Sequence, residues 1–298
     1  MQLECIVRII PARLTWIVYS PPKRKVLSLV SRINPAPVVL LGNQKSGTTA
    51  IAVLLAKYTR LSVTNDMPSI FEPVQTMLHS GELTMDEFVR RNRYDWSNDI
   101  VKEPSLTFLY PQVKAAFPRA RFAMIVRDPR ANIRSLLNRK KIPGNLTGLD
   151  LQGVSGMTTE WERILDNRWM GLSGDTYIES LAHRWNRAAS VYLDNADRMI
   201  LLRYEDFMAD KAGAVAALAR QLGLGGKRDV SSEVDVQYQM AGDRRIGWSE
   251  FFGADNLRRI ETICAERMRE LGYESTEREA VSTPLSERAV GREHRSDV

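Results

Sequence analysis

Cysteine is scarce in this chain: Cys5 and Cys264 are the only two in 298 residues, and they form no C-x-x-C pair. That excludes a disulfide framework and a cysteine-based zinc site, and makes a reducing compartment the simplest setting. The three histidines, His79, His183 and His294, share no metal-ligand spacing. Long apolar runs are missing too. No stretch approaches the ~20 residues that span a bilayer, and Arg8, Pro11 and Arg13 interrupt the N-terminal apolar segment that a signal peptide would need unbroken. Negative charge is the minority sign, with 36 Asp and Glu against 42 Lys and Arg. The net charge of +6 favours anionic ligands or surfaces. No basic run interleaved with aromatics marks a nucleic-acid site, so nucleic acid is not expected as a partner.

What is present is an ordinary globular composition, 44% hydrophobic and 26% charged. It is long enough for one substantial core. Apolar stretches at 38–41, 61–63, 99–102, 121–126 and 199–202 read as strands. Between them lie helical patterns at about 50–56, 105–116 (broken near Pro111), 177–192 and 211–222, and a final helix at about 256–271 ending at Gly272. Alternating strands and helices predict an α/β fold: a P-loop-like three-layer architecture, with a central parallel sheet and helices on both faces. Residues 1–34 form a basic and apolar N-terminal extension, 35–274 the domain, and 275–298 a polar tail expected to be disordered. The extension is expected to pack on the domain, with weak contact to an anionic membrane surface as the alternative. Residues 140–175 are rich in glycine and weakly patterned, with helix only at about 158–169, the signature of a functional lid or a disordered connection.

The chemistry centres on Val38-Val39-Leu40-Leu41-Gly42-Asn43-Gln44-Lys45-Ser46-Gly47-Thr48-Thr49. A strand runs into a glycine-bounded loop and then a helix N-terminus, where free backbone N–H groups and the helix dipole attract an anion. Lys45 adds a charge; Ser46, Thr48 and Thr49 add hydroxyls. Gly42 and Gly47 have the spacing of the nucleoside-triphosphate loop G-x-x-x-x-G-K-[ST], but Thr48 stands where that loop has lysine. A second anion site follows the strand at 121–126: Arg127 at the carboxyl end of the strand, Ser135 two helical turns on, and Arg139 one turn further on the same face. An arginine fork with a hydroxyl suits a terminal phosphate dianion.

Together the two motifs resemble the 5′-phosphosulfate loop and the R-x₇-S 3′-phosphate site of sulfotransferases that use 3′-phosphoadenosine-5′-phosphosulfate (PAPS). The resemblance continues through Lys102-Glu103-Pro104, Phe117-Pro118, Val126-Arg127-Asp128, Arg184-Trp185-Asn186-Arg187-Ala188, Arg203-Tyr204-Glu205-Asp206, Arg245-Ile246-Gly247-Trp248 and Leu271-Gly272-Tyr273. These match tyrosylprotein sulfotransferases and bacterial relatives, in order, over most of residues 37–273. The resemblance implies a PAPS-dependent sulfotransferase needing no metal. Lys45, Ser46, Gly47, Thr48, Thr49, Arg127, Ser135, Arg139, Tyr204 and Arg245 would bind the nucleotide, and Lys102 would contact the transferring sulfuryl group. Lys45 agrees with cytosolic sulfotransferases, whereas tyrosylprotein enzymes carry Arg there. The K-T-H motif that supplies a histidine base in cytosolic enzymes is absent, so a carboxylate is implied instead: Glu72 first, then Asp66, then Glu103. The acceptor would be a hydroxyl on a glycan, a lipid-linked glycan, a peptide tyrosine or a small alcohol. The implied setting is the cytoplasm, with peripheral contact at the inner membrane face as the further option. A P-loop kinase and a non-catalytic nucleotide-binding module are the rival classes.

Overall fold

A computed structural model describes residues 21–151, 153–236 and 246–275. The N-terminal extension up to residue 20, the polar tail from residue 276 and Arg245 lie outside the described residues.

Five parallel strands make the central sheet: β1 (Val38–Gly42), β2 (Val63–Asn65), β3 (Ile100–Lys102), β4 (Arg121–Val126) and β5 (Met199–Arg203), in spatial order β2-β3-β1-β4-β5. Strand β1 is central and every residue of it is buried. It therefore reads as a continuous apolar run rather than an alternating one. Its two faces feed different cores. Val38 and Leu40 pack with Ile51, Leu54 and Leu55 of helix α1 (Thr48–Thr59) and with Val215 and Leu218 of a later helix at Lys211–Gln221. Val39 and Leu41 face the larger cluster on the other side, with Ile133, Leu136, Leu181 and Trp185. Those belong to α2 (Pro129–Arg139) and α3 (Tyr177–Leu193), with the C-terminal helix α4 (Trp248–Glu270) packed behind them. The result is the expected three-layer fold.

Several boundaries differ from expectation for local reasons. Strand β2 begins two residues late because Arg60 turns left-handed (φ 57) and caps α1, so the chain becomes extended only where Val63 aligns with Ile100. The break near Pro111 falls one residue earlier. A 3₁₀ stretch at Pro104–Leu109 hands over to a helix at Tyr110–Ala116, and Pro111 occupies its first turn, where no N–H is required. A helix at Met85–Arg91 was not foreseen, although Thr84 caps it by accepting from the Glu87 N–H at 3.2 Å, a Thr-x-x-Glu start. Helix α4 starts at Trp248 but is interrupted at Gly253 (φ 69, ψ 162), and only the part beyond it carries the regular pattern. A helix at Pro21–Val30 lies before the sheet, tied on by an Arg24–Asp95 ion pair and by the Ser28 hydroxyl, which accepts from the Tyr94 N–H at 3.3 Å. Among the described residues no helix is long and apolar enough to cross a membrane.

What matters for chemistry is the carboxyl edge of the sheet. Gly42 ends β1, Asp66 follows β2, Lys102 ends β3, Arg127 follows β4 and Tyr204 follows β5. In a parallel α/β sheet that edge is where ligands bind.

Candidate active site

The loop after β1 is held in shape by backbone geometry only its own residues permit. Gly42 has φ +152, and a Cβ there would lie 2.6 Å from the Ile125 carbonyl oxygen. Gly47 (φ +90) caps α1, and a Cβ there would meet the Tyr204 ring at 2.3 Å. Lys45 itself is left-handed at φ 68. Asn132 braces the loop from α2: its amide donates to the Gln44 carbonyl at 2.9 Å and to the Ser46 hydroxyl at 3.0 Å, and its oxygen accepts from Asn43 at 3.0 Å. Ser46 is buried, with its hydroxyl turned to this brace, and Thr48 is buried beneath Gly42. Thr49 faces the edge, where its hydroxyl accepts from Lys102 Nζ at 3.0 Å.

Around this loop the cations converge. Lys45 is lowered to about 8, first by burial and then by repulsion from Arg139, Arg127 and Lys102. A lysine crowded this way marks a site arranged for an anion. Arg127 donates to the Lys45 carbonyl at 2.9 Å, and its guanidinium lies 4.5 Å from the Tyr204 ring centroid. The Tyr204 ring thus lies against both Gly47 and Arg127, joining the two expected anion sites. Trp185 fixes Arg127 from below, donating to its carbonyl at 2.8 Å. Ser135 is half-buried and Arg139 exposed further along α2. One residue before Ser135, Arg134 donates to the Ile246 carbonyl at 2.9 Å and lies 4.2 Å over the Trp248 ring, which brings the segment next to Arg245 against α2.

The other side of the edge is a cavity of about 160 Å³, lined among others by Asp66, Glu103, Arg184, Trp161 and Trp169. Asp66 is left-handed at φ 65, with its side chain half exposed and ion-paired to the nearly buried Lys102. Since Lys102 also donates to Thr49, Asp66 is connected to the loop through a single side chain. Glu103 is fully buried and pushed up by desolvation, then by the Asp66 charge; it accepts from the Met67 and Ser105 N–H groups, both at 2.9 Å. Glu72 sits elsewhere. One oxygen pairs with Arg163 Nε at 2.8 Å and the other accepts from Thr76 at 2.8 Å, so it faces the wall of the cavity, not its interior. Arg163 in turn lies 5.3 Å over the Trp169 ring.

Two residues passed over at the level of sequence are central. Asn132 is the loop brace already described. Arg184 is 1% exposed and bonds only to neutral amide oxygens among its side-chain partners: Asn43 at 3.1 Å, Asn167 at 2.7 Å and Gln44 at 2.7 Å. Burial lowers it to about 9, still a cation at neutral pH. Arg184 lies in the run Arg184-Trp185-Asn186-Arg187-Ala188, which carries a resemblance but no visible chemistry without the fold.

Residues 71–227, just over half the chain, match the Sulfotransferase family. The chain belongs to that family. The matched span holds Arg127, Ser135, Glu103, Arg184 and Tyr204, and begins beyond the loop at 42–49. This sulfotransferase shares its fold with STF9 from Mycobacterium avium at 14% identity and a TM-score of 0.50, over 88% of this chain and 82% of that one. Two further structures are similar to it: the sulfotransferase domain of the curacin biosynthetic pathway (15% identity, TM-score 0.47, 81% and 99% covered) and mouse SULT7A1 complexed with PAP (12%, 0.48, 85% and 92%). No curated protein matches the chain. Membership implies sulfuryl transfer to an acceptor bearing a hydroxyl of some kind. Among the described residues of the sulfotransferase, no group of three or more His, Cys, Asp or Glu is placed to hold a metal ion.

Proposed function

We propose that this enzyme transfers the sulfuryl group of PAPS to an acceptor hydroxyl by in-line displacement, with Asp66 as the base. The observation that carries the proposal is the contact of Tyr204 with both Gly47 and Arg127, which sets the loop and the arginine side by side at one sheet edge. Two anion sites so joined fit a nucleotide with phosphates at both ends of its ribose. The α1 N-terminal amides with Thr48 and Thr49 hold the 5′-phosphate, and Arg127, Ser135 and Arg139 receive the 3′-phosphate. Lys45 stabilises the charge that builds on the bridging oxygen as the sulfur–oxygen bond breaks. Asp66 accepts the proton of the attacking hydroxyl, and Lys102 between Asp66 and Thr49 reaches toward the group in flight. Asp66 is preferred to Glu72 because it lines the cavity and is half exposed, while the Glu72 oxygens are engaged by Arg163 of the cavity wall and by Thr76. The acceptor would be a hydroxyl on a glycan, a lipid-linked glycan or a peptide.

Thermal shift and calorimetry test the nucleotide. Adenosine 3′,5′-bisphosphate is expected to stabilise the protein without divalent metal. Arg127→Ala is expected to weaken its binding by ~1.5–3 kcal/mol, the scale of a lost charge-assisted contact, and to weaken adenosine 5′-phosphosulfate, which lacks the 3′-phosphate, much less. Stabilisation by ATP-Mg²⁺ alone would instead support a kinase.

Lys45 adds a proton-linkage test. Its lowered value near 8 means that the charged lysine opposes folding at lower pH, a cost relieved as pH rises from about 8 toward its ordinary value. A bound phosphate favours the charged form, so binding raises the Lys45 value again. At pH 8.5 bisphosphate binding is therefore expected to take up a fraction of a proton, read from titrations in buffers of different ionisation enthalpy. Lys45→Arg should abolish the uptake while keeping the charge; uptake that persists in Lys45→Arg would place the titrating group elsewhere.

A further inference from the structure

Beside the acceptor cavity lies a second, larger space, of which the transfer mechanism uses only Arg139. It is a groove of about 570 Å³ between the end of α2 and the segment from Leu149 to Gly156. Its lining includes Arg139, Lys140 and Lys141 and, among the described residues, no carboxylate, although Asp150 lies close to Gly153 of the wall. Lys140 belongs to the wall: its Nζ donates to the Gly156 carbonyl at 2.5 Å and stands 5.1 Å from the Trp161 ring centroid. Arg139 and Lys141 are exposed. Cations at a helix C-terminus complement the dipole. That accounts for one of them being there, but not for three gathered along the rim of one groove.

Two features tie the groove to the reaction. Trp161 lines both this groove and the cavity that holds Asp66, so one indole separates them. Arg139 stands on α2 two turns beyond Asn132, the residue that braces the loop, and its charge also depresses Lys45. An acceptor that spanned both spaces would run past Trp161.

We propose that the groove is the second half of the acceptor site, and that it takes an anionic group (phosphate, sulfate or carboxylate) carried by the same molecule as the acceptor hydroxyl. The inference rests on the reading of the Asp66 cavity as the acceptor site. Charge complementarity does the selecting: with Arg139 engaged by the nucleotide, Lys140 and Lys141 still make the groove favour an acidic acceptor over its neutral counterpart, more so at low ionic strength.

The test uses the full chain saturated with adenosine 3′,5′-bisphosphate, so that the nucleotide's own anion sites are filled. Calorimetric titrations then compare glucose with glucose 6-phosphate, phenol with 4-hydroxyphenylacetate, and inorganic phosphate alone. At least one acidic partner is expected to bind ~10-fold or more tightly than its neutral counterpart, the scale of one charge-assisted contact. Lys141→Glu is expected to abolish that preference while leaving bisphosphate affinity nearly unchanged. Equal binding within both pairs, a preference that survives Lys141→Glu, or no binding of any probe would each overturn the proposal. Inorganic phosphate binding as tightly as the acidic ring compounds would overturn it too, by showing an isolated anion site. Loss of bisphosphate affinity in Lys141→Glu would assign the groove to the nucleotide. Failure of the wild-type protein to bind the bisphosphate at all would refute the underlying reading instead, and is seen before any acceptor probe is added.

Discussion

Asp66→Asn is expected to slow sulfuryl transfer by ~10²–10⁴-fold, the usual worth of a general base, while bisphosphate affinity stays nearly unchanged. The asparagine keeps the size of the side chain and can still hydrogen-bond with Lys102, but it cannot take the acceptor proton. A more acidic acceptor hydroxyl should be less affected, because it needs less help in losing its proton. Glu72→Gln makes the contrast. It breaks the ion pair with Arg163, whose guanidinium covers Trp169 on the cavity wall. Its expected effect is a higher KM for acceptor with a much smaller change in kcat. Steady-state kinetics on both variants decides between them. An inactive Glu72→Gln beside an active Asp66→Asn would move the base to Glu72, the residue that the carbohydrate-type resemblance favours.

The second large effect concerns stability. Arg184 is a buried cation held by three amide oxygens and stacked 4.3 Å from the Phe108 ring centroid. Removing it relieves the desolvation of a charge, but leaves the buried Asn167 oxygen without its guanidinium donor and loosens Asn43 and Gln44. The second effect should win, since each buried group left unpaired costs more than a neutral bond contributes. Arg184→Gln is expected to destabilise the protein by ~2–4 kcal/mol in urea unfolding. Because Asn43 and Gln44 are loop residues, bisphosphate affinity should fall as well. Arg184→Lys should not rescue either property: one ammonium on a flexible stem cannot span three amides set around a planar fork. A lysine variant as stable as wild type would show that charge alone, not the fork, is what the site requires.

Much of the site was legible in the order of residues along the chain, because its parts are local. A strand, a loop bounded by Gly42 and Gly47, and a helix N-terminus follow one another without interruption, so the anion cradle could be read as a unit. The same holds for Arg127 and Ser135, separated by two turns of one helix. The apolar runs disclosed the inner strands β1, β3 and β4 and the position of β5, since a strand buried in the middle of a sheet cannot hide its composition; β2, half-exposed at the edge, was read two residues early. Sequence alone therefore determined the parallel α/β architecture and pointed to the two segments proposed to bind anions.

Tertiary structure decided everything that depends on residues far apart in the chain. Sheet order β2-β3-β1-β4-β5 brings Asp66 and Lys102 to the same edge as the loop, and no spacing along the chain encodes that neighbourhood. The same order separates Glu72 from the cavity interior by pairing it with Arg163, a residue 91 positions later. Arg184 reads in isolation as one more surface arginine on an amphipathic helix. Only the fold turns it inward onto Asn43 and Gln44, because α3 packs directly over the loop. Trp161 lies in a stretch with little pattern of its own, and its place between two cavities is set by what surrounds it. Local chemistry is written by neighbours in the chain; which carboxylate meets which cation is set by sheet order and helix packing, and those are global properties of the chain.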